Sequence, residues 1–237
     1  MTGRAGHQLS TVLHTLGGGR GALPPVPPRA AGAPGSVRRV VEQFGAQRPV
    51  QADPTTCGSA ALVVLAAAGD PRLARWLATG DGRTQTARFA DLQQTAKAAS
   101  TRHALLGLDW PGGLGTPPWG AAKVARFGRV RYTHRLLVDT DPARYGLLLD
   151  HVIACARAGV PVPLYTGGDT RAGVGAAVPR HVVVLTSPDG SALEVYEPSV
   201  GRLIPVTRDE LAHGGARRPA YGGWSHLTWA LLPLPPT

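Results

Sequence analysis

Cysteine is scarce in this sequence of 237 residues, which contains only Cys57 and Cys155. Two cysteines are too few for a disulfide framework, although a single bridge between them remains open. The scarcity fits a reducing compartment, in which thiols stay free. We therefore expect two free thiols.

Lysine is equally scarce, since it occurs only at Lys97 and Lys123, and arginine supplies almost all of the positive charge behind the formal net charge of +10. The arginines are scattered, and no more than two are adjacent. No zinc-finger spacing, RNP-like strand signature or basic-region heptad pattern accompanies them. The charge therefore predicts no specific nucleic-acid partner, and the bias towards Arg, Ala, Gly and Pro is typical of a GC-rich bacterial genome.

Long apolar runs are missing as well. No run approaches the eighteen residues that a membrane-spanning helix needs, and the N-terminus lacks the apolar segment of a secretory signal. We therefore expect a cytoplasmic protein without a transmembrane segment. Nothing in the sequence indicates an oligomeric state.

Gly and Pro dominate residues 1–36, which contain Gly-Gly-Gly-Arg-Gly and Pro-Pro-Val-Pro-Pro. Such a composition buries little surface and stays extended, so we predict a flexible tail with at most a short helix over 8–16. One folded domain is predicted over 37–237. The apolar fraction of the chain, 43%, is ordinary for a protein with a buried core.

Helical patterns dominate the first part of that domain. Ser36 is a helix-start residue, and 57–68 is Ala-rich, apolar and preceded by Asp-Pro-Thr-Thr, whose side chains can cap a helix. This places Cys57 at a helix N-terminus. Further helices are predicted over 71–79, 87–99 and 142–158, and a Gly/Pro/Trp-rich loop over 109–119 is a candidate wall of a substrate cleft.

Strand patterns dominate the second part. β-branched segments separated by Gly, Pro and Asp turns predict an antiparallel meander over 160–166, 181–186, 193–197 and 202–207, with one more strand over 224–232. Helices followed by strands predict an α+β fold.

Cys57, His181 and Glu197 are the residues whose order suggests chemistry. A thiol reacts as the thiolate, and a helix N-terminus favours that negative charge. A cysteine hydrolase also needs an imidazole to take the thiol proton and an acceptor to hold the imidazole. His181 opens a strand and Glu197 ends the next one, so the two can lie side by side. Gly58 leaves room for a substrate carbonyl, and the Cys57 N–H is a candidate oxyanion donor.

Three segments carry a family resemblance: Gln-Ala-Asp-Pro-Thr-Thr-Cys-Gly at 51–58, Pro-Arg-His-Val-Val-Val-Leu at 179–185 and Val-Tyr-Glu-Pro-Ser-Val-Gly at 195–201. Together they resemble the papain-like family of double-glycine leader peptidases, which process bacteriocins, and their free-standing bacterial relatives. The resemblance implies a papain-like α+β fold, in which a central N-terminal helix carries the nucleophile and packs on a C-terminal antiparallel sheet.

The same resemblance implies a role for each of four residues. Cys57 would be the nucleophile and His181 its base, while Gln51, six residues before the cysteine, would lend its amide to the oxyanion hole. Glu197 would orient the imidazole, although it replaces the usual Asp and adds a methylene. The interval from cysteine to histidine is longer than in compact leader peptidases, and we therefore predict an insertion over 102–135.

The expected function is hydrolysis of a peptide or related amide bond in a peptide or protein substrate, through a thioester acyl-enzyme and without a cofactor or metal. Two alternatives stay open: a transglutaminase-like acyl transferase or amidase, and a catalytically impaired peptide-binding module of the same fold. A lone cysteine in a helix is often just a small buried residue, and a lone strand histidine is often structural. The other histidines lack zinc-ligand spacing, and the glycine-rich segments lack the Lys-Ser/Thr of a phosphate loop.

Overall fold

A seven-stranded antiparallel sheet with helices packed on both of its faces forms the frame of the protein. A computed structural model describes residues 22–28, 36–168 and 181–235. The predicted short helix over 8–16 and most of the predicted tail lie outside the described residues.

The helices follow the predicted order with small changes in their bounds. The 17-residue helix Gln85–Thr101 is longer than expected at both ends, and a short helix after residue 207 was not predicted. In the described residues the α-helices are α1 (Val37–Glu42), α2 (Cys57–Gly69), α3 (Pro71–Thr79), α4 (Gln85–Thr101), α5 (Pro118–Val124), α6 (Pro142–Arg157) and α7 (Arg208–Ala212), and 3-10 turns cover Gly45–Gln47, Gly112–Leu114 and Pro219–Tyr221.

The strands form a mixed helix-and-sheet fold of the predicted α+β kind. They are β1 (Arg126–Phe127), β2 (Val130–Leu136), β3 (Val162–Gly167), β4 (His181–Thr186), β5 (Leu193–Glu197), β6 (Arg202–Val206) and β7 (His226–Pro233). Strands β3 to β6 make the predicted meander, and the spatial order β1-β2-β7-β3-β4-β5-β6 places β7 between β2 and β3.

The region 102–135 holds structure that the sequence did not predict. Strand β2 pairs with β7 from Tyr132↔Pro233 to Leu136↔Trp229, so this region contributes an inner strand to the sheet. The predicted loop over 109–119 ends early, because α5 begins at Pro118. Proline suits the first position of a helix, since the N–H that it lacks would have no partner within the helix there. The description of this region as an insertion stays a prediction.

Two apolar cores lie on opposite faces of the sheet, because successive strand side chains point to opposite sides. On β4, Val182 and Val184 face the core that contains α2, whereas Val183 and Leu185 face the core that contains α6. Every residue of α2 except Ala66 is buried, which explains why its sequence is apolar all round. The candidate nucleophile is therefore carried by the most enclosed helix.

One property of the helices bears on membranes. Within the described ranges no single helix is long and apolar enough to cross a bilayer, and the pair Cys57–Gly69 and Pro71–Thr79 passes the same test only as two helices bent by 115°.

Candidate active site

Cys57 is the first residue of α2, and 5% of it is exposed. The expected side-chain cap of this helix was wrong: Thr56 occupies the N-cap position but makes no capping hydrogen bond with its side chain. Its hydroxyl instead accepts from the Asp53 N–H and donates to the Asp53 carbonyl oxygen, both at 3.0 Å. The positive end of the helix dipole therefore lies at Cys57 without a side-chain oxygen of Thr56 to offset it, which favours a negative charge there.

The loop before Cys57 is fastened to α4. Gln93, which is fully buried, accepts from the Ala52 N–H at 2.8 Å and donates to the Val50 carbonyl oxygen at 3.3 Å. Gln94 donates to the Asp53 carboxylate at 3.1 Å. Because this loop has little regular structure of its own, these bonds fix where α2 begins.

The same loop is fastened to the end of β5. The Gln51 N–H donates to the Pro198 carbonyl oxygen at 2.8 Å, and the Tyr196 hydroxyl donates to the Pro49 carbonyl oxygen at 2.5 Å. Pro198 directly follows Glu197, so the segment that carries the candidate nucleophile is bonded to the turn that carries the candidate orienting carboxylate.

His181 and Glu197 meet because of the register between β4 and β5. The ladder between these strands runs from Thr186↔Glu194 to Val184↔Tyr196, and Glu197 is the next residue of β5. His181 opens β4, so the two residues lie at the same end of the strand pair. Accordingly, His181 Nε2 is hydrogen-bonded to Glu197 Oε1.

The Glu197 carboxylate, 1% exposed, is held by the turn that follows it. Besides the bond with His181, Oε1 accepts from the Ser199 N–H at 3.0 Å, and Oε2 accepts from the Ser199 hydroxyl at 2.6 Å and from the Val200 N–H at 3.0 Å. Burial raises the pKa of this carboxyl, but hydrogen bonds from His181 and Ser199 outweigh it and hold the pKa below its usual value. The residue is an anion with a fixed orientation.

Cys57 also acts on His181. Nε2 of the ring is hydrogen-bonded to Glu197, and the side chain of Cys57 is near enough to influence the pKa of the imidazole. Burial lowers the pKa of His181, but the bonds and negative charges of Cys57 and Glu197 outweigh it and raise the pKa to about 9. Three of the four residues singled out in the sequence thus form a continuous chain of contacts.

Gln51, the fourth, is placed by contacts within the loop before Cys57. Its side-chain nitrogen donates to the Asp53 carbonyl oxygen at 2.8 Å, while its Oε1 is buried without a hydrogen-bond partner. An unpaired buried oxygen costs about 1–3 kcal/mol, so the amide is placed at some expense to stability. Its link to the site is through its own backbone bond to Pro198.

Sequence reasoning missed the role of Thr116. A methyl group added at Gly58 would lie 2.8 Å from Thr116 Cβ and 3.3 Å from Val182 Cγ2. The absence of a side chain at Gly58 therefore accommodates Thr116, which lies in the predicted loop over 109–119. The roles of Gly58 as room for a substrate carbonyl and of this loop as a cleft wall stay predictions.

Gly222 was also missed, since in the sequence Gly222-Gly223 indicates only a turn. A methyl group added at Gly222 would lie 2.5 Å from Cδ2 and 2.7 Å from Nε2 of His181. The backbone of this turn therefore packs against one edge of the imidazole ring.

Cys155 forms the second cysteine–histidine contact of the described chain. Its sulfur lies 3.5 Å from His151 Nε2, one turn earlier on α6. Neither cysteine is in a disulfide, and the two belong to different cores, so the bridge between Cys57 and Cys155 that the sequence left open does not form. Within the ranges that the structure describes, no group of three or more His, Cys, Asp or Glu side chains is arranged to hold a metal ion.

Comparison of the chain with protein-family models and with curated proteins finds no match in either. The case for a function therefore rests on the arrangement of three residues: a cysteine at a helix N-terminus, a histidine whose pKa that cysteine raises, and a buried carboxylate hydrogen-bonded to the imidazole. That arrangement can deprotonate a thiol and can return the proton to a leaving group.

Proposed function

We propose that the protein is a papain-like cysteine hydrolase that cleaves a peptide or related amide bond through a thioester acyl-enzyme. One observation carries the proposal: the His181 imidazole is hydrogen-bonded to the buried Glu197 carboxylate and has its pKa raised by Cys57 at the start of α2 as well as by Glu197. These three residues are far apart in the sequence, so it is the tertiary fold that brings them together.

In the first half of the reaction, Cys57 Sγ attacks the substrate carbonyl carbon as a thiolate, with its proton held by His181. A carbon–sulfur bond forms, and the carbonyl electrons move onto oxygen. The carbon–nitrogen bond then breaks, and the His181 imidazolium gives its proton to the leaving amine. In the second half, His181 takes a proton from water, the hydroxide attacks the thioester carbon, and the carboxylic acid leaves as Cys57 is regenerated.

The oxyanion of this reaction needs donors near the sulfur. The Cys57 N–H at the helix terminus is one candidate, and the Gln51 side chain is the second. The Gln51 amide nitrogen has two hydrogens, of which one is used on the Asp53 carbonyl. The other is the group that we assign to the oxyanion.

Glu197 fits the orienting role despite its extra methylene. The three donors from Ser199 and Val200 hold its carboxylate in one place, so the longer side chain does not lose orientation to rotamer freedom. This supports turnover over an impaired site, and it supports the papain-like assignment that motifs over 51–201 suggested.

A mixed synthetic peptide library incubated with the protein tests the proposal. We expect new termini by mass spectrometry and, after acid quenching, an acyl adduct on Cys57, whereas Cys57→Ala gives neither. An added primary amine that appears in the products would indicate acyl transfer in place of hydrolysis. Absence of both products and adduct, with the fold intact, would contradict the proposal.

A peptide-binding module without turnover is the second candidate. It is favoured by the enclosure of the site, because Cys57 is 5% exposed and Thr116 packs over Gly58. Retention of library peptides by both the wild type and Cys57→Ala, without cleavage, would identify this function.

A further inference from the structure

Gly222 lies in the turn between the 3-10 helix Pro219–Tyr221 and β7, next to the imidazole of His181. Its φ of +64° lies in the left-handed region, where a side chain is rarely accommodated. Its Cα faces the ring: an added methyl group would lie 2.5 Å from Cδ2, 2.7 Å from Nε2 and 3.0 Å from Cγ of His181. Real Cβ atoms do not approach other atoms so closely.

The turn cannot easily retreat from the ring, because it is bonded on both sides of Gly222. The Gly222 N–H donates to the Pro219 carbonyl oxygen at 3.0 Å, and the next N–H, of Gly223, donates to the Arg218 carbonyl oxygen at 3.0 Å. The buried Thr166 hydroxyl donates to the Tyr221 carbonyl oxygen, also at 3.0 Å. A rigid backbone therefore lies against the ring edge that carries Nε2, the nitrogen bonded to Glu197.

We propose that Gly222 is a positioning residue of the site, whose bare Cα lets the turn press on the His181 ring and keep Nε2 on Glu197 and the ring beside Cys57. Glu197 fixes one ring nitrogen but leaves the ring free to rotate about that bond. The wall at Gly222 removes this freedom. The proposal deepens the proposed function and rests on it where turnover is concerned, but the placement of the imidazole can be measured without turnover.

Gly223 provides a matched control. Its φ of +82° also lies in the left-handed region, yet nothing lies within 4 Å of a methyl group added there. Alanine at either position bears the strain of a left-handed backbone, about 1–2 kcal/mol, but only alanine at Gly222 collides with the imidazole.

Three measurements on wild type, Gly222→Ala and Gly223→Ala test the role. By NMR titration we expect the pKa of His181 to fall from about 9 towards the ordinary 6.5 in Gly222→Ala and to stay near 9 in Gly223→Ala. Alkylation of Cys57 by iodoacetamide, and peptide cleavage where it is seen, should drop about a hundredfold in Gly222→Ala only, since displacement by about 1 Å can have that effect. An unchanged pKa and labelling rate in Gly222→Ala would overturn the proposal.

A double-mutant cycle covers the case in which Gly222→Ala does not fold. If the added methyl collides with the imidazole, Gly222→Ala should lower Tm much less in a His181→Ala background, where the ring is gone. Equal losses of Tm in both backgrounds, or failure of the double variant to fold, would place the cost in the backbone and overturn the proposal. A wild type that cleaves nothing while the pKa of His181 still responds to Gly222→Ala would refute the proposed function and leave the positioning role standing.

Discussion

The described part of the protein contains two cysteine–histidine pairs whose surroundings differ in almost every respect. Cys57 starts a helix, and its histidine comes from a strand more than a hundred residues away in sequence. Cys155 lies near the end of α6, and His151 precedes it by one turn on the same helix. A cysteine beside a histidine is thus easy to produce locally, and the contact alone does not make a reactive site.

The electrostatic consequences of the two settings are opposite. Burial raises the pKa of the Cys155 thiol to about 12 and lowers the pKa of His151, so both groups stay neutral at physiological pH. His181 has its pKa raised to about 9 by its partners, so it stays charged. A carboxylate behind the imidazole and a helix N-terminus under the sulfur are what separate the two pairs.

The reactivity of the two thiols should show the largest difference. At pH 7.5 a thiol with a pKa of about 12 is ionised to only about 3 in 100,000, and Cys155 is also fully buried. We expect iodoacetamide to label Cys57 at least about a hundredfold faster than Cys155 by peptide mass spectrometry. Cys57→Ala should abolish the fast phase and Cys155→Ala should leave it; equal slow labelling would remove the distinction on which the proposed function depends.

Replacement of the Glu197 carboxylate should make the Cys57–His181 pair behave like the Cys155–His151 pair. In Glu197→Gln the amide nitrogen would face the Val200 N–H, a donor, and the imidazolium would lose its counter-charge. We expect the rate of Cys57 acylation in single-turnover experiments to fall on the order of a thousandfold, with the circular dichroism unchanged.

Glu197→Asp is the matched variant for that experiment, because it keeps the charge and shortens the reach. It should retain part of the rate. Equal rates in the wild type and Glu197→Gln would mean that another group orients His181.

Gln51 should distinguish acylation from simple alkylation at the same sulfur. Gln51→Ala should lower kcat for peptide cleavage about a hundredfold, because an oxyanion donor is lost, and should leave iodoacetamide labelling unchanged, because alkylation forms no oxyanion. Gln94→Ala is the control, since Gln94 also bonds to Asp53 but lies on the exposed side. Equal loss of kcat in both variants would assign the effect to the Asp53 loop.

The contributions of His181 and His151 to the stability of the fold should change with pH in opposite directions. The pKa of His181 is raised from 6.5 to about 9, so the stability that it contributes is fully present below pH 6.5 and is lost as pH rises through about 9. The pKa of His151 is lowered, so its contribution is kept above pH 6.5 and lost as pH falls.

Thermal unfolding across this pH range measures both effects, which are the smallest of those expected here. The difference in Tm between the wild type and His181→Gln should become smaller as the pH rises. The difference between the wild type and His151→Gln should become smaller as the pH falls. Parallel curves for the two variants would contradict the assignment.

Much of the frame could be predicted because its signals are local. The start of α2 at Cys57 follows from an apolar, Ala-rich run after Asp-Pro-Thr-Thr, and the bounds of β4 and β5 match the prediction, since β-branched runs between turns mark them. The contact of His181 with Glu197 follows from two predicted strands joined by one turn. The papain-like assignment itself stays a prediction.

The remainder depends on contacts that no local pattern encodes. Strand β2 mixes Arg and His with few β-branched residues, and its partner β7 lies about a hundred residues further along the chain. The packing of Thr116 on Gly58 and of Gly222 on His181 joins distant segments whose glycines look like ordinary turn or helix residues. The orientation of the Gln51 amide depends on the carbonyl of Asp53, which folding alone brings into place.

The position of β7 between β2 and β3 also bears on when the site can form during synthesis. His181 pairs with Thr166 of β3, and the other edge of β3 pairs with β7, which is made after the other described strands. At about 5–20 residues per second, the ribosome completes β7 about 3–10 s after it adds His181. Until then the sheet lacks the strand that joins β2 to β3. His181 is therefore not yet held in its final position beside Cys57. A chain that stalls before β7 carries the nucleophile without the frame that would activate it.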